Sequence, residues 1–484
     1  MDKERIKAAY NGEFFRENAH KMVDFLADYL NQAEVDEQPE MFSNKTPDEI
    51  KNIYDADFSS TGNREFLDII KNIFENISPL NHPNYLGHQV SVPLPTAALS
   101  DLVMGLINNS GVVFEMGKSA VGTEHAIVKW MCKKIGYDEN SDGVLTSGGT
   151  LGNLTALLAA RQDKAGYDIW KDGVDKDKPL CALVSEQSHY SVTRALSIMG
   201  LGSDNTIKIP CDKDFHLDIN AMKELYEKAT SEGKKVFAIS IGACSTATGK
   251  FDDIESVAKF CKEKDIWLHV DGAHGAPTLL SKKYKHYMKG IEQADSVVWD
   301  AHKMMMVPSL ITGVLFKNRK VTYSTFSQNA AYILDRTGEQ DWFDRGLRTF
   351  ECTKPFMSLK LYANLKYFGE EFFGDYVEMM YDLTKDFAKV IEESSDFELA
   401  TQPESNIICF RYLNDKVEDL NEFQNRLRNK LLDEKNFYIV KTALNGKQYL
   451  RCTVINPLTE MRHLENLLDN VRKIAKEELS VRVS

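Results

Sequence analysis

An α/β fold around a mostly parallel sheet is what the 484-residue sequence predicts. Two observations carry that expectation. Short β-rich runs at 144–146, 180–185, 206–209, 236–241, 266–271 and 296–299 alternate with helical patterns, and strands separated by helices of about 10–15 residues build a sheet covered on both faces. Beyond Pro355 a helical stretch leads into a second, smaller α/β unit. Length alone suggests two or three domains. The texture divides into an N-terminal helical arm (1–80), a large domain (81–355), and a connecting helix with a small C-terminal domain (356–484).

Residues 13–30 place Phe15, Ala19, Met22, Val23, Leu26 and Leu30 on one helical face and Glu17, Lys21, Asp24 and Asp28 on the other. Pro39, Pro47 and Pro79 break the pattern that follows, so the arm is expected to pack on another domain or a second subunit. From His82 the pattern becomes apolar and helical through Leu99, Leu102, Val103, Leu106 and Ile107. In the C-terminal part, 357–373 and onward to about 394 reads as helix, 406–412 as strand and 416–433 as helix. Residues 438–443 and 449–455 read as a hairpin turning at Asn445-Gly446. Thr459 is placed to cap a last helix striped by Leu464, Leu467, Leu468, Val471 and Ile474.

Composition narrows the function. Hydrophobic residues make up 43% and charged residues 27% of the chain, as in ordinary globular proteins. A net charge of −13 disfavours nucleic acid or an anionic membrane as the main partner. The N-terminus is charged, and no run of about 18 apolar residues occurs; neither a signal peptide nor a span is expected. Eight scattered cysteines without a Cys-x-x-Cys pair read as reduced structural thiols of a cytoplasmic protein.

Ligands of parallel sheets bind outside the carboxyl ends of the strands, so polar residues there are the functional candidates. Residues 144–153 run from a strand through Ser147-Gly148-Gly149-Thr150 into a helix carrying Asn153. Glycines allow close approach, and the helix start offers free N–H groups to a phosphate. A plain structural turn is the alternative, since the segment matches neither the Walker nor the dinucleotide pattern. At 266–274, Asp271 ends a buried strand and is followed by Gly272 and Ala273. That carboxylate is suited to a cationic ring nitrogen, with small residues that let a flat ring lie close; capping the next turn is its structural alternative. A metal set of His269, Asp271 and His274 is a further possibility at this strand. His189, after another strand, is suited to stacking on a planar ligand or to starting the helix that follows. Thr246 follows the 236–241 run. Lys303 lies between Trp299 and Met304-Met305-Met306. Apolar surroundings lower a lysine's pKa and favour Schiff-base chemistry, whereas a surface lysine would snorkel over the same neighbours.

A phosphate cup, a stacking imidazole, a ring-nitrogen partner and a nucleophilic lysine are together what pyridoxal phosphate requires. Their order resembles the group II pyridoxal-phosphate decarboxylases, which act on glutamate, cysteine sulfinate or aromatic amino acids. The similarity rests on His82-Pro83, the turn at 147–153, Ser-Glu-Gln-Ser-His-Tyr-Ser at 185–191, Thr246 with Gly249-x-Phe251-Asp252, Trp267-Leu-His-Val-Asp271, and Asp295-Ser-x-x-Trp-x-x-His302-Lys303. It covers about residues 14–475.

The resemblance implies an aspartate-aminotransferase-like α/β fold and a homodimer whose active site lies at the subunit interface. It also implies an α-decarboxylase that releases carbon dioxide and forms an amine from an acidic or aromatic L-amino acid. Lys303 then carries the cofactor as a Schiff base, Asp271 keeps the ring nitrogen protonated, and His189 and Ala273 sandwich the ring. Ser147, Gly148, Gly149, Thr150, Asn153, Asp300 and His302 match cofactor-side positions, and Thr246 matches one near the phenolic oxygen and substrate carboxylate. Asp300 stands where many relatives have asparagine. Tyr332 matches the proton donor on the loop after the lysine, Arg451 a residue near the substrate carboxylate, and His88 and Phe114 the side-chain pocket. Transamination, aldehyde synthesis and, more distantly, metal-dependent hydrolysis are the competing activities.

Overall fold

The computed structural model describes residues 3–33, 45–55, 58, 65–326 and 342–481. Its main sheet contains β1 (Asp142–Thr146), β2 (Leu180–Ser185), β3 (Thr206–Ile209), β4 (Lys235–Gly242), β5 (Trp267–Asp271), β6 (Ser296–Asp300) and β7 (Thr312–Phe316), in spatial order β1-β7-β6-β5-β4-β2-β3. Six strands run the same way; β7 is antiparallel to both neighbours, β1 and β6. All six expected strands are present within one or two residues of their expected ends. β7 carries no strand expectation; it pairs with the distant β1 and with β6, the strand just before it.

The six parallel strands point their carboxyl ends to one edge. Burial is complete along β1, β2, β5, β6 and β7, the condition of strands covered on both faces. The helix Gly149–Lys164 lies against this sheet through Ala156, Leu157, Ala159 and Ala160. Gly152 is tight there, since a Cβ would come 3.2 Å from Thr312 Cγ2.

The C-terminal unit has an antiparallel sheet of β8 (Phe397–Leu399), β9 (Ile407–Tyr412), β10 (Val440–Leu444) and β11 (Lys447–Thr453), ordered β10-β11-β9-β8. The hairpin turns at Asn445-Gly446 as expected, with both residues at positive φ. The long helix expected from 357 is two helices, Ser358–Phe368 and Glu370–Glu393. Gly369, at φ +78°, breaks it in a conformation that favours glycine. Thr459, expected as a cap, donates its hydroxyl to the Pro83 carbonyl at 2.7 Å.

That contact belongs to a seam between residues 82–90 and the small sheet. Leu86 N–H donates to the Tyr438 carbonyl at 2.8 Å, and Thr453 N–H donates to the Leu86 carbonyl at 2.8 Å. At the other end, the helix Gly12–Ala33 leaves Phe15, Val23, Leu26 and Leu30 exposed; Leu99, Leu102 and Leu106 of the helix Pro95–Ile107 are exposed too. These faces line one apolar groove of about 430 Å³. No helix among the described residues is long and apolar enough to cross a membrane. All eight cysteines are free thiols.

Candidate active site at the strand ends

A cavity of about 260 Å³ opens at the carboxyl edge of the main sheet. The ends of β1, β2, β4, β5 and β6 contribute to it. From the β1 turn come Ser147, Gly148, Gly149 and Thr150, with Asn153 one helical turn on; His189 follows β2, Thr246 follows β4, Asp271 and Ala273 end and follow β5, and Asp300, His302 and Lys303 end and follow β6. The twelve cofactor-side residues expected from the sequence are thus all on one wall.

Gly148 adopts φ +104° at the start of the helix Gly149–Lys164. Gly149 must also be small, since a Cβ there would lie 3.1 and 3.3 Å from the Asp300 carboxylate oxygens and 3.5 Å from Ala273 Cβ. The helix start leaves its first N–H groups free for an anion. Ser147 donates its hydroxyl to Glu351 Oε1 at 2.6 Å.

Asp271 is held by a chain of hydrogen bonds. Asn153 Nδ2 donates to its Oδ2 at 2.8 Å, and the Ala273 N–H donates to its Oδ1 at 3.1 Å. Asn153 Nδ2 also donates to Ser191 Oγ at 2.9 Å, and Ser191 Oγ lies 2.8 Å from His189 Nδ1. His269 Nε2 meets Asn153 Oδ1 at 2.9 Å, and its Nδ1 meets Ser296 Oγ at 2.9 Å. Burial pushes His269 down to about 4, so it is a neutral spacer behind Asn153. Burial also lowers His189, against the charge of Asp271 and with that of Lys303.

Lys303 is not in the apolar company its sequence neighbours suggest. Trp299, Met304, Met305 and Met306 are buried in the hydrophobic core, while Lys303 keeps 22% of its side chain accessible and places Nζ 2.9 Å from Asp300 Oδ2. Burial draws its pKa down, but the Asp300 charge and hydrogen bond, with Asp271, outweigh that and the net shift is upward. The expected depression is therefore corrected in the cofactor-free chain. Asp300 is in turn held below the ordinary carboxylate range: burial raises it, and Lys303, His302 and the Thr312 hydroxyl lower it further. That offsets the buried charge of Asp300.

Three expected substrate-side residues lie outside this wall. Arg451 on β11 is 5% exposed, its Nε and Nη2 have no partner among the described residues, and burial lowers its pKa. Its charge reaches His274 and His88. His88 is exposed, with Nε2 3.4 Å from Tyr438 Oη. Phe114 is 38% exposed and faces Phe343 at 5.6 Å. Tyr332 lies outside the described residues. Cys244, Ser245, His274, Gln187, Ser188 and Leu310 also line the cavity; His274, Gln187 and Ser188 lie within the sequence motifs, whereas Leu310 arrives with β7.

Among the described residues no three of histidine, cysteine, aspartate and glutamate are grouped to hold a metal ion. His269 and His274 direct Nε2 at Asn153 and Asn406. The wall instead suits a flat anionic ring: a glycine cradle at a helix start for a phosphate, a fixed carboxylate at Asp271, a small residue at Ala273 and an amine at Lys303.

The model of the pyridoxal-dependent decarboxylase conserved domain matches residues 47–413. The chain belongs to this decarboxylase family. The decarboxylase is 26% identical over 477 residues to the aromatic-L-amino-acid decarboxylase of Bacillus atrophaeus, covering 96% of each chain. It is 24% identical to the acidic amino acid decarboxylase of Xenopus tropicalis, over 89% of this chain and 87% of that one. Its fold matches the crystal structure of the glutamate decarboxylase domain of diaminobutyrate-pyruvate transaminase and L-2,4-diaminobutyrate decarboxylase from Vibrio parahaemolyticus. There the TM-score is 0.82, with 25% identity over 94% of this chain and 96% of that one. The fold is therefore the expected aspartate-aminotransferase-like one. The enzyme is a pyridoxal-phosphate-dependent amino-acid decarboxylase, a carboxy-lyase.

Proposed function

We propose that this cytoplasmic decarboxylase acts on an acidic or aromatic L-amino acid, in an active site completed by a second copy of the chain. The observation that supports it is the division of the expected residues. The cofactor side is assembled within one chain, while His88 and Phe114 stand apart and the apolar groove beside the N-terminal helix has no cover among the described residues. A groove of that character fits burial against a second copy. The three-part division at residues 80 and 355 belongs to the same reading.

Bound in the cavity, pyridoxal phosphate supplies an electron-withdrawing ring that accepts the electron pair left when a carboxylate departs as carbon dioxide. Lys303 would hold it through Nζ, and Asp271 would keep a proton on its ring nitrogen. His189 and Ala273 would pack on the ring, Thr246 would serve its phenolic oxygen, and Ser147, Gly148, Gly149, Thr150 and His302 would hold its phosphate. Asn153 acts through Asp271, and Asp300 through Lys303. Arg451, a buried guanidinium with two nitrogens unpaired among the described residues, receives the substrate carboxylate. Tyr332 delivers a proton to Cα.

Carbon dioxide release from a panel of L-amino acids tests the substrate class. Glutamate, aspartate, cysteine sulfinate, tyrosine, tryptophan and L-2,4-diaminobutyrate belong in it. Turnover of an acidic or aromatic member is the expected result; turnover of the diamino acid alone would reject both classes. Aldehyde or ketoacid in place of amine would identify the competing reactions. Tyr332→Phe is expected to keep the borohydride-fixed cofactor and lose amine formation by about 10²-fold or more, the scale of a removed general acid. An unchanged amine yield removes Tyr332 from the reaction.

A further inference from the structure

His274 stands three residues after Asp271, lines the cavity with Lys303 and is 2% exposed. Its ring nitrogens differ. Nε2 lies 2.7 Å from Asn406 Oδ1. Asn406 cannot turn its amide without loss, since Nδ2 donates to the Val454 carbonyl at 3.0 Å and lies 3.3 Å from Met304 Sδ. Asn406 Oδ1 is therefore an acceptor, and the imidazole proton sits on Nε2. Nδ1 is left as a buried lone pair with no partner among the described residues. Burial, then the charge of Lys303, pushes the ring down to about 3, with Arg451 lowering it further while Asn406 and Asp300 oppose. The ring stays neutral. A buried acceptor without a partner costs about 1–3 kcal/mol, a cost that a donor arriving with a ligand removes.

We propose that His274 Nδ1 accepts a hydrogen bond from an N–H or O–H group of the ligand bound in this cavity, which makes His274 a specificity-determining residue with Asn406 as its positioning residue. The inference rests on the reading that cofactor and amino acid share this cavity. The donor is carried by either of the two. A ligand that presents only lone pairs to Nδ1 is disfavoured, because two acceptors then face each other without water.

Two substitutions separate the ring's two contacts. The amide oxygen of asparagine sits as many bonds from Cβ as Nδ1 does, and the amide of glutamine sits where Nε2 does. His274→Gln keeps the link to Asn406 and loses the acceptor; His274→Asn keeps the acceptor. Cofactor affinity is read from the absorbance of bound pyridoxal phosphate, and KM and kcat are measured at saturating cofactor with the best substrate of the panel. His274→Gln is expected to weaken one ligand about tenfold, the worth of one hydrogen bond, and His274→Asn to recover most of it. A loss in cofactor affinity assigns the donor to the cofactor, and a rise in KM at unchanged cofactor affinity assigns it to the amino acid. Asn406→Leu, which frees the imidazole proton to move to Nδ1, is expected to give the same loss. Unchanged affinity for both ligands in His274→Gln and Asn406→Leu overturns the proposal. If borohydride fixes no cofactor on the wild-type chain, the underlying reading fails instead, whatever the variants do.

Discussion

Lys303→Ala is expected to lose turnover by roughly 10⁴-fold or more, the scale on which removing a covalent nucleophile acts. Borohydride reduction followed by peptide mapping should find no cofactor on the variant. Cofactor still fixed at another lysine would remove Lys303 from its role. The same substitution tests the ion pair. Asp300 is 1% exposed and would keep only Thr312 and His302, whose Nε2 is 3.6 Å away. Breaking a buried pair from one side costs about 3 kcal/mol or more, so the cofactor-free variant should unfold at lower denaturant. Adding Asp300→Asn should recover most of that stability and none of the turnover. The pH dependence has a definite sign. Asp300 is depressed, so its contribution is present above the unfolded carboxylate pKa of about 3.9 and is lost as pH falls through the lower folded value. Lys303 is raised, so its contribution is present below about 10.4 and is lost as pH climbs through the higher folded value. The stability gap between wild type and the double variant Lys303→Ala/Asp300→Asn, which leaves neither group to titrate, should therefore be flat between those limits. A gap that changed through neutral pH would mean that another group carries the pair.

The candidate wall was legible because strand ends are. Parallel strands present their carboxyl ends at one edge, so Ser147, His189, Thr246, Asp271 and Lys303, distant in sequence, could be grouped from the alternation alone. What surrounds Lys303 was not legible. Residues beside a lysine in sequence need not be beside it in space: Trp299 and Met304–Met306 turn into the core, and Asp300, three positions back, meets the amine. Contacts from distant segments leave no local signal either. Glu351 reaches Ser147 across 204 positions and Asn406 reaches His274 across 132. β7 was missed as well; of its two partners only β1 is distant in sequence, β6 being the strand before it.

Asp271→Asn is expected to lower kcat by about 10³-fold with a smaller change in cofactor affinity. The distinction follows from how the side chain is held. Asp271 Oδ2 receives Asn153 Nδ2, and Oδ1 receives the Ala273 N–H, so both oxygens are fixed by donors and the carboxylate cannot turn away from a ring beside it. An asparagine amide offers the same shape, yet its NH₂ group would face one of these donors, and it carries no charge to hold a proton on a ring nitrogen. Binding contacts largely survive and the electron sink does not; removing one preorganised electrostatic partner typically costs about 10²–10³-fold. Asn153→Leu separates charge from orientation. It leaves the Asp271 carboxyl group in place but removes the bonds to Asp271, Ser191 and His269 together, and it should lose less turnover than Asp271→Asn, about 10-fold to 10²-fold, on the scale of an orienting partner. The two variants should also differ in spectrum, because a proton lost from the ring nitrogen changes the absorbance of bound cofactor and a misdirected carboxylate changes it less. Equal kcat losses and equal spectra would mean that orientation, not charge, is what Asp271 supplies.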